Sequence, residues 1–244
     1  MGVTRRRRLP KPLASDLVRV EWLRRVEAEY RSAAITQQLA LWLIQIGASP
    51  DLIRAGLRIV SDELTHSEMS HRVYAAARGN ETPKIARETL GVPAPPGPVE
   101  HAVARVAVDV FCLGETIAVP LFKELRAACT VAPAKRALDR ILRDEVRHRD
   151  FGWTLLGSLF ESPLAPALRR VVVDDLPSFF DRIRRSYASG DPARAGGIDS
   201  SDAAWGLMPA SRYAEVLHRT LERDWVPRFA KLGIDAKGAW RARG

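Results

Sequence analysis

Two short strings, Asp62-Glu63-Leu64-Thr65-His66 and Asp144-Glu145-Val146-Arg147-His148, constrain this chain more than any other feature of it. Each lies in a stretch with the hydrophobic periodicity of a helix. Residues three apart on a helix share a face, so Glu63 points with His66 and Glu145 with His148. The Glu-x-x-His spacing alone is weak evidence, because it recurs at Glu68/His71 and Glu215/His218. Those two copies lack the preceding aspartate and a facing glutamate, and they read as solvated helix surface.

The facing glutamates distinguish the first two copies. Glu115 lies in "VAVDVFCLGETIAVPLF", where Asp109 is the other charge in an apolar run. Burying such a carboxylate costs several kcal/mol unless it is neutralised, paired or bound to a cation (~2–7 kcal/mol even for an uncharged polar group). Glu115 stands 15 residues before Thr130 and Glu145 stands 15 after it, so in an antiparallel hairpin turning there the two face each other. In an earlier hairpin Glu29 is 18 residues before Gly47, and Glu63 is 14 after Ser49. The mismatch amounts to about 6 Å of helix rise, which tilt and side-chain length absorb. Glu27 is the rival to Glu29, but about 200° of helix separates them and one of the two faces the core. Glu29 is the choice, with Ser32, Ala33 and Thr36 leaving room beside it.

One unit is therefore written twice: Glu29 with Asp62-Glu63-x-x-His66, and Glu115 with Asp144-Glu145-x-x-His148. Glu29, Glu63, His66, Glu115, Glu145 and His148 converge in a helical bundle, as a site for two divalent metals with one histidine each. Carboxylate oxygen with imidazole suits iron or manganese. Asp62 and Asp144 recur at the same offset and are assigned as acceptors for the second nitrogen of a ligand histidine.

The rest of the chain reads as all-α. Helices are expected over about 13–46, 50–77, 99–128 and 134–160, with two more near 164–188 and 210–231. Ser49-Pro50-Asp51 opens the second with a cap, a first-position proline and an early acid. A glycine- and proline-rich connection, "RGNETPKIARETLGVPAPPGP", separates the hairpins. The domain reading is a basic disordered tail over 1–12, one helical domain over 13–232 and a C-terminal tail over 233–244. Trp225 and Phe229 serve either a dimer contact or the cover of the core.

Net charge is +9, from 38 basic and 29 acidic residues, which favours anionic partners or substrates. Part of it is the block Arg5 to Arg8, read as a solvated tail rather than a nucleic-acid arm. No apolar run reaches membrane-spanning length. Two cysteines, Cys112 and Cys129, lie inside expected helices, which points to a reducing, cytoplasmic setting. Cys112 reads as a buried structural thiol.

The motif set resembles the ferritin-like di-iron carboxylate superfamily. "DEVRH" is similar to the Asp/Glu-Glu-x-Arg-His string of its oxygen-activating members. "EYRSAAITQQLALWLIQIGASPDL" and "CLGETIAV" resemble segments of uncharacterised bacterial ferritin-like proteins, with the matching glutamates at Glu29 and Glu115. The likeness covers roughly residues 15–160. It implies a four-helix bundle with a long crossover and added C-terminal helices, holding two irons (or manganese, or one of each) that react with dioxygen.

A second Glu-x-x-His is usually lacking in storage ferritins. The doubled string therefore implies the oxidase and oxygenase branches, which include desaturases, reductase small subunits, quinone hydroxylases and tRNA hydroxylases. The expected activity is oxidation or hydroxylation of an unidentified small or carrier-bound substrate, with an external electron donor. The alternatives are a ferroxidase or peroxide-handling protein, and an interaction bundle with a vestigial site. Nucleic acid is not the expected partner, although tRNA hydroxylases belong to the implied group. A homodimer is a common assembly for such bundles. Thr65 departs from the arginine of the motif, and Tyr30, beside Glu29, is expected to face away.

Overall fold

The computed structural model describes residues 13–92, 97–187 and 197–242, and these are helical with connecting turns. The expected basic tail over 1–12 lies outside them. Helix α1, Asp16–Gln45, starts at Ser15, whose Oγ accepts from the Val18 amide at 3.2 Å and donates to Asp202 at 2.6 Å. Gly47 takes φ +69° in the turn that follows, a conformation glycine adopts without steric penalty. Ser49 then caps α2, Pro50–Ala76, with Pro50 in the first turn.

A crossover from Ala77 leads through a 3-10 turn at Arg87–Thr89 to the third rod. That rod comprises α3, Val99–Val106, a π-helical segment, Ala107–Glu115, and α4, Thr116–Ala127. The sequence points to one helix kinked at Pro120; the irregularity instead lies upstream, at Ala107–Glu115, and Pro120 sits inside α4. The π segment adds backbone width mid-rod, a distortion common at functional sites. Helix α5, Ala132–Phe160, returns antiparallel, with Pro133 in its first turn. Neighbours pack in a closed ring: α1 on α2, α2 on α5, α5 on the third rod, and the third rod back on α1 through α3. Gly152 of α5 lies against Phe111 and Cys112 of the π segment, so close that a Cβ would meet Phe111 Cβ at 2.3 Å.

The C-terminal third is more segmented than periodicity indicates. Helix α6, Ala165–Tyr187, packs on α3 and the π segment. Then come α7, Ser200–Ala204, capped by Asp199, and α8, Ala210–Thr220. A second π segment, Leu221–Trp225, precedes α9, Val226–Lys231, and α10, Ala236–Arg241, follows. Within the stretch read as a C-terminal tail, Ala236–Arg241 form this last helix. Asp235 caps α10 by accepting from Gly238, and the Trp240 ring packs on Phe180 at 5.3 Å and near Trp225 at 6.5 Å. Trp225 and Phe229 are fully buried within this chain, so they cover its core. Trp225 Nε1 also donates to the Cys112 carbonyl at 3.1 Å, supplying a partner inside the irregular π turn.

Helix α7 fastens the start of α1: Trp22 Nε1 donates to the Trp205 carbonyl at 3.0 Å, beside the Ser15–Asp202 bond. Ser15→Ala removes a helix cap and the donor to a buried carboxylate together. The expected loss is about 2 kcal/mol by chemical denaturation. No helix among the described residues is long and apolar enough to cross a membrane. Cys112 and Cys129 are buried free thiols.

Candidate metal centre

Each rod of the ring contributes to one polar cluster in an otherwise apolar interior. Glu29 comes from α1, Glu63 and His66 from α2, Glu115 from the last π-helical position, and Glu145 and His148 from α5. All six expected ligands are buried and come together. Their donor atoms form two overlapping sets, each within 4.8 Å: Glu29, Glu63, His66 and Glu145, and Glu63, Glu115, Glu145 and His148. Glu63 and Glu145 belong to both sets, and each histidine and each outer glutamate belongs to one.

The spacings fit ions rather than direct hydrogen bonds. His66 Nδ1 lies 3.7 Å from Glu29, 3.7 Å from Glu63 and 3.8 Å from Glu145. His148 Nδ1 lies 3.2 Å from Glu63 and 3.4 Å from Glu145. Donors bound at about 2.1 Å to one small divalent ion stand roughly 3–4 Å apart. Both Nδ1 atoms, with one oxygen each of Glu63 and Glu145, are buried without a hydrogen-bond partner. Such groups are rare and costly unless something fills the place between them. Two divalent cations would neutralise the four carboxylates; the buried Glu and His residues could therefore hold metal.

Without cations, protons take up part of the charge. Burial pushes Glu29 up to about 8 against the pull of His66. Burial, with Glu145 and Glu63 close by, also raises Glu115 well above the usual carboxylate range. Burial opposes ionisation of Glu63, but the closeness of His148 and His66 outweighs it and holds this carboxyl at about 2. His66 is lifted to about 11 by Glu29 and Glu63 despite its burial. Asp62 and the clustered glutamates raise His148 in the same way. Metal binding here would therefore release protons.

The aspartates act crosswise. Asp144 of α5 accepts from Nε2 of His66 on α2, at 3.1 Å. Asp62 of α2 stands 3.5 Å from Nε2 of His148 on α5. Asp144 therefore turns the His66 imidazole so that Nδ1 faces the cluster, while Asp62 stands beside the His148 ring as a charge without a hydrogen bond to it. Arg147 joins the pair, reaching Asp62 at 3.0 Å and Asp144 at 2.8 Å. Arg140 donates to both as well, with its Nη2 3.0 Å from Asp62. With Arg143 also 3.5 Å from Asp144, three guanidinium groups surround the two carboxylates behind the histidines. At the position matching Arg147 in the first unit, Thr65 bonds its own helix at the Ser61 carbonyl. Asp144→Asn keeps the shape but removes the negative charge facing His66 and leaves one acceptor oxygen for His66, Arg140 and Arg147 to share. Metal affinity should fall about 10–100-fold, read by competition with a chelator, and Asp62→Asn should cost less because its contact is longer.

The residues assigned elsewhere stay apart from the cluster. Glu68 is exposed and pairs with Arg72, and Glu215 is exposed beside Arg212. His71 and His218 are exposed, as is Tyr30. Glu27 accepts from the Lys84 amide outside the bundle. Sequence spacing did not find Arg140, whose signal is its place four residues before Asp144. It also did not find Tyr187, which lines a cavity of about 430 Å³ that reaches Glu29, Glu63, Glu115 and Glu145. Burial and the nearby Glu115 raise the Tyr187 phenol, keeping it neutral.

No protein-family model, curated protein or solved structure matches the chain. The functional reading therefore rests on the geometry above.

Proposed function

We propose that the chain is a dinuclear metal-carboxylate oxidoreductase of the ferritin-like kind. In this reading it holds two irons, with manganese able to replace one or both, and uses dioxygen to oxidise or hydroxylate an organic substrate. The supporting observation is the sharing of Glu63 and Glu145 between two donor sets that each add one glutamate and one histidine. A glutamate from each of two helices and Glu-x-x-His from each of two others is the ligand plan of di-metal carboxylate bundles.

When bound, such ions supply electrons to dioxygen and Lewis acidity to its reduction. The protein's own part is to hold and insulate. Glu63 and Glu145, nearly solvent-free, fix the separation of the two positions. Asp144 orients the His66 imidazole, Asp62 sets its charge beside His148, and the apolar packing around the cluster keeps water from competing for the oxidant. Glu29 and Glu115 border the cavity, so that side gives a substrate its approach. Reducing equivalents come from an external donor.

The cavity favours an organic substrate over iron oxidation alone. The test is to load the protein anaerobically with ferrous ion, analyse the metal, and then admit air. About two irons per chain, with near-ultraviolet absorption growing on exposure to air, is the expected result. Continued turnover of ferrous ion into mineral would instead favour a ferroxidase. Failure to retain any metal on titration would overturn both.

A further inference from the structure

A second concavity, of about 440 Å³, lies apart from the carboxylate cluster, and none of the six clustered ligands lines it. Its volume is within the range of small-molecule pockets, roughly 300–1,000 Å³. Arg223 and Asp224 reach it from the second π segment, Arg228 and Lys231 from α9, and Trp153 from α5. Three cations against one carboxylate leave two positive charges around the opening. Among the described residues no carboxylate stands within ion-pair distance of Arg223, Arg228 or Lys231. The adjoining hollow, which shares Arg223 and Asp224, differs: there Glu124 holds Arg219 at 2.8 Å. A cleft lined by one sign of charge concentrates its field on an ion of the other sign.

The wall beside these cations is fixed before any ligand arrives. Trp153 Nε1 donates to Thr116 Oγ1 at 3.0 Å, and the ring meets Phe229 edge-on at 4.9 Å. The Arg228 guanidinium lies 5.5 Å over the Trp153 ring. Such stacking sets the plane of a guanidinium and leaves its N–H groups at the edge for an acceptor. Groups already held in place lose less freedom when a ligand binds. Pro227 and Leu232 add apolar surface to the lining.

We propose that this pocket binds a small phosphomonoester, with the phosphate held by Arg223, Arg228 and Lys231 and a flat apolar body laid along Trp153, Pro227 and Leu232. A phosphomonoester carries about 1.5 to 2 negative charges near neutral pH and three acceptor oxygens, which matches the two uncompensated positive charges. A guanidinium offers paired N–H donors to two of those oxygens, and an ammonium offers a point charge to the third. A singly charged anion of the same shape leaves part of the cationic field unmatched. The site is independent of the metal reading, because the two share no residue.

Phenyl phosphate, phenyl sulfate and inorganic phosphate are the probes. Each is titrated calorimetrically into the full-length protein in low salt at about pH 8, where the ester is a dianion. The titrations are run on metal-free protein and on protein loaded with Mn(II) and desalted. Phenyl phosphate should bind about tenfold more tightly than phenyl sulfate, for its second charge, and about tenfold more tightly than inorganic phosphate, for its ring. Metal should change neither preference. Arg228→Gln should weaken phenyl phosphate about tenfold or more. Arg223→Gln and Lys231→Gln, at exposed positions where folding is not at stake, should each weaken it by roughly threefold to tenfold. Arg219→Gln, whose charge Glu124 already engages, should stay within about twofold of the parent.

No binding of phenyl phosphate at millimolar concentration, equal affinity for phenyl phosphate and phenyl sulfate, or equal losses in Arg219→Gln and Arg228→Gln would each overturn the proposal. Phenyl phosphate no tighter than inorganic phosphate would overturn the placing of the body on Trp153. Binding confined to the Mn(II)-loaded protein would put the ester on the metal centre and overturn the site as well.

Discussion

Glu145→Ala will leave the protein without either metal ion, whereas Glu29→Ala and Glu115→Ala will each leave about one per chain. The ordering follows from shared donors: Glu145 belongs to both sets, Glu29 to one and Glu115 to the other. Removing a shared carboxylate takes away one donor and one negative charge from each position. Removing an outer one leaves the opposite position with its histidine and both shared oxygens. Glu63→Ala should behave like Glu145→Ala. Glu68→Ala and Glu215→Ala, on exposed acids paired with nearby arginines, should hold the full complement. Elemental analysis after loading and desalting reads the result. Equal occupancy in all six variants would remove the basis for the assignment.

Misfolding would not mimic this outcome. In the ion-free protein Glu145 faces the raised His66 and His148, so its deletion removes one partner of a buried charged cluster and lowers stability. A Glu145→Ala protein that is still folded at the loading temperature, yet takes up no ion, separates ligation from folding. Thermal melting with and without metal makes the same distinction. Ions that bind only the native state raise the parent's stability by about 2.7 kcal/mol at a hundredfold excess over Kd, and should do nothing for this variant.

The second large effect is expected far from any charge. Gly152→Ala should destabilise the protein by about 3 kcal/mol, at the upper end of what overpacking does, and lower its melting temperature by about 10 °C. A Cβ at 152 would stand 2.3 Å from Phe111 Cβ, 3.0 Å from the Phe111 carbonyl carbon and 3.1 Å from the Cys112 amide nitrogen. Backbone and a Cβ cannot swing aside as a long side chain can, so α5 and the π segment must separate. The segment also ends at Glu115, so metal retention should fall with stability. Gly157→Ala, one helix face away with nothing within 4 Å, is the control. It should be neutral or stabilising by about 0.5–1 kcal/mol, because alanine loses less freedom in a helix. Similar melting of the two variants would show that the approach at Gly152 is not tight.

The ligands were legible because a helix fixes which residues share a side. Glu63 with His66, and Glu145 with His148, follow from spacing alone. Glu115 was betrayed by its apolar surroundings, and Glu29 by its place opposite Glu63. The hairpin turns were legible through Gly47, Ser49 and Pro50. What surrounds the ligands was not. The π segment leaves no trace in hydrophobic periodicity, because "VAVDVFCLGE" is apolar on nearly every side. The pairing of Asp144 with His66 rather than with its own helix's histidine depends on how closely α2 and α5 approach, which no local spacing encodes. The same holds for Arg140 and Arg147, whose reach across to Asp62 is a tertiary fact. In the C-terminal third, α7 and α10 are too short for periodicity to register. Asp199 and Asp235 were their only local signals.

The crosswise aspartates carry an implication for how such a molecule can be taken apart. A hairpin excised at the crossover would keep three ligands, but its histidine would have lost the aspartate that stands behind it, and its own aspartate would guard nothing. Neither half is a miniature of the whole. Whatever ancestry the doubled unit has, in its present form each copy is unfinished until the other docks, and two exchanged halves from separate chains would complete one another as well as halves of the same chain do.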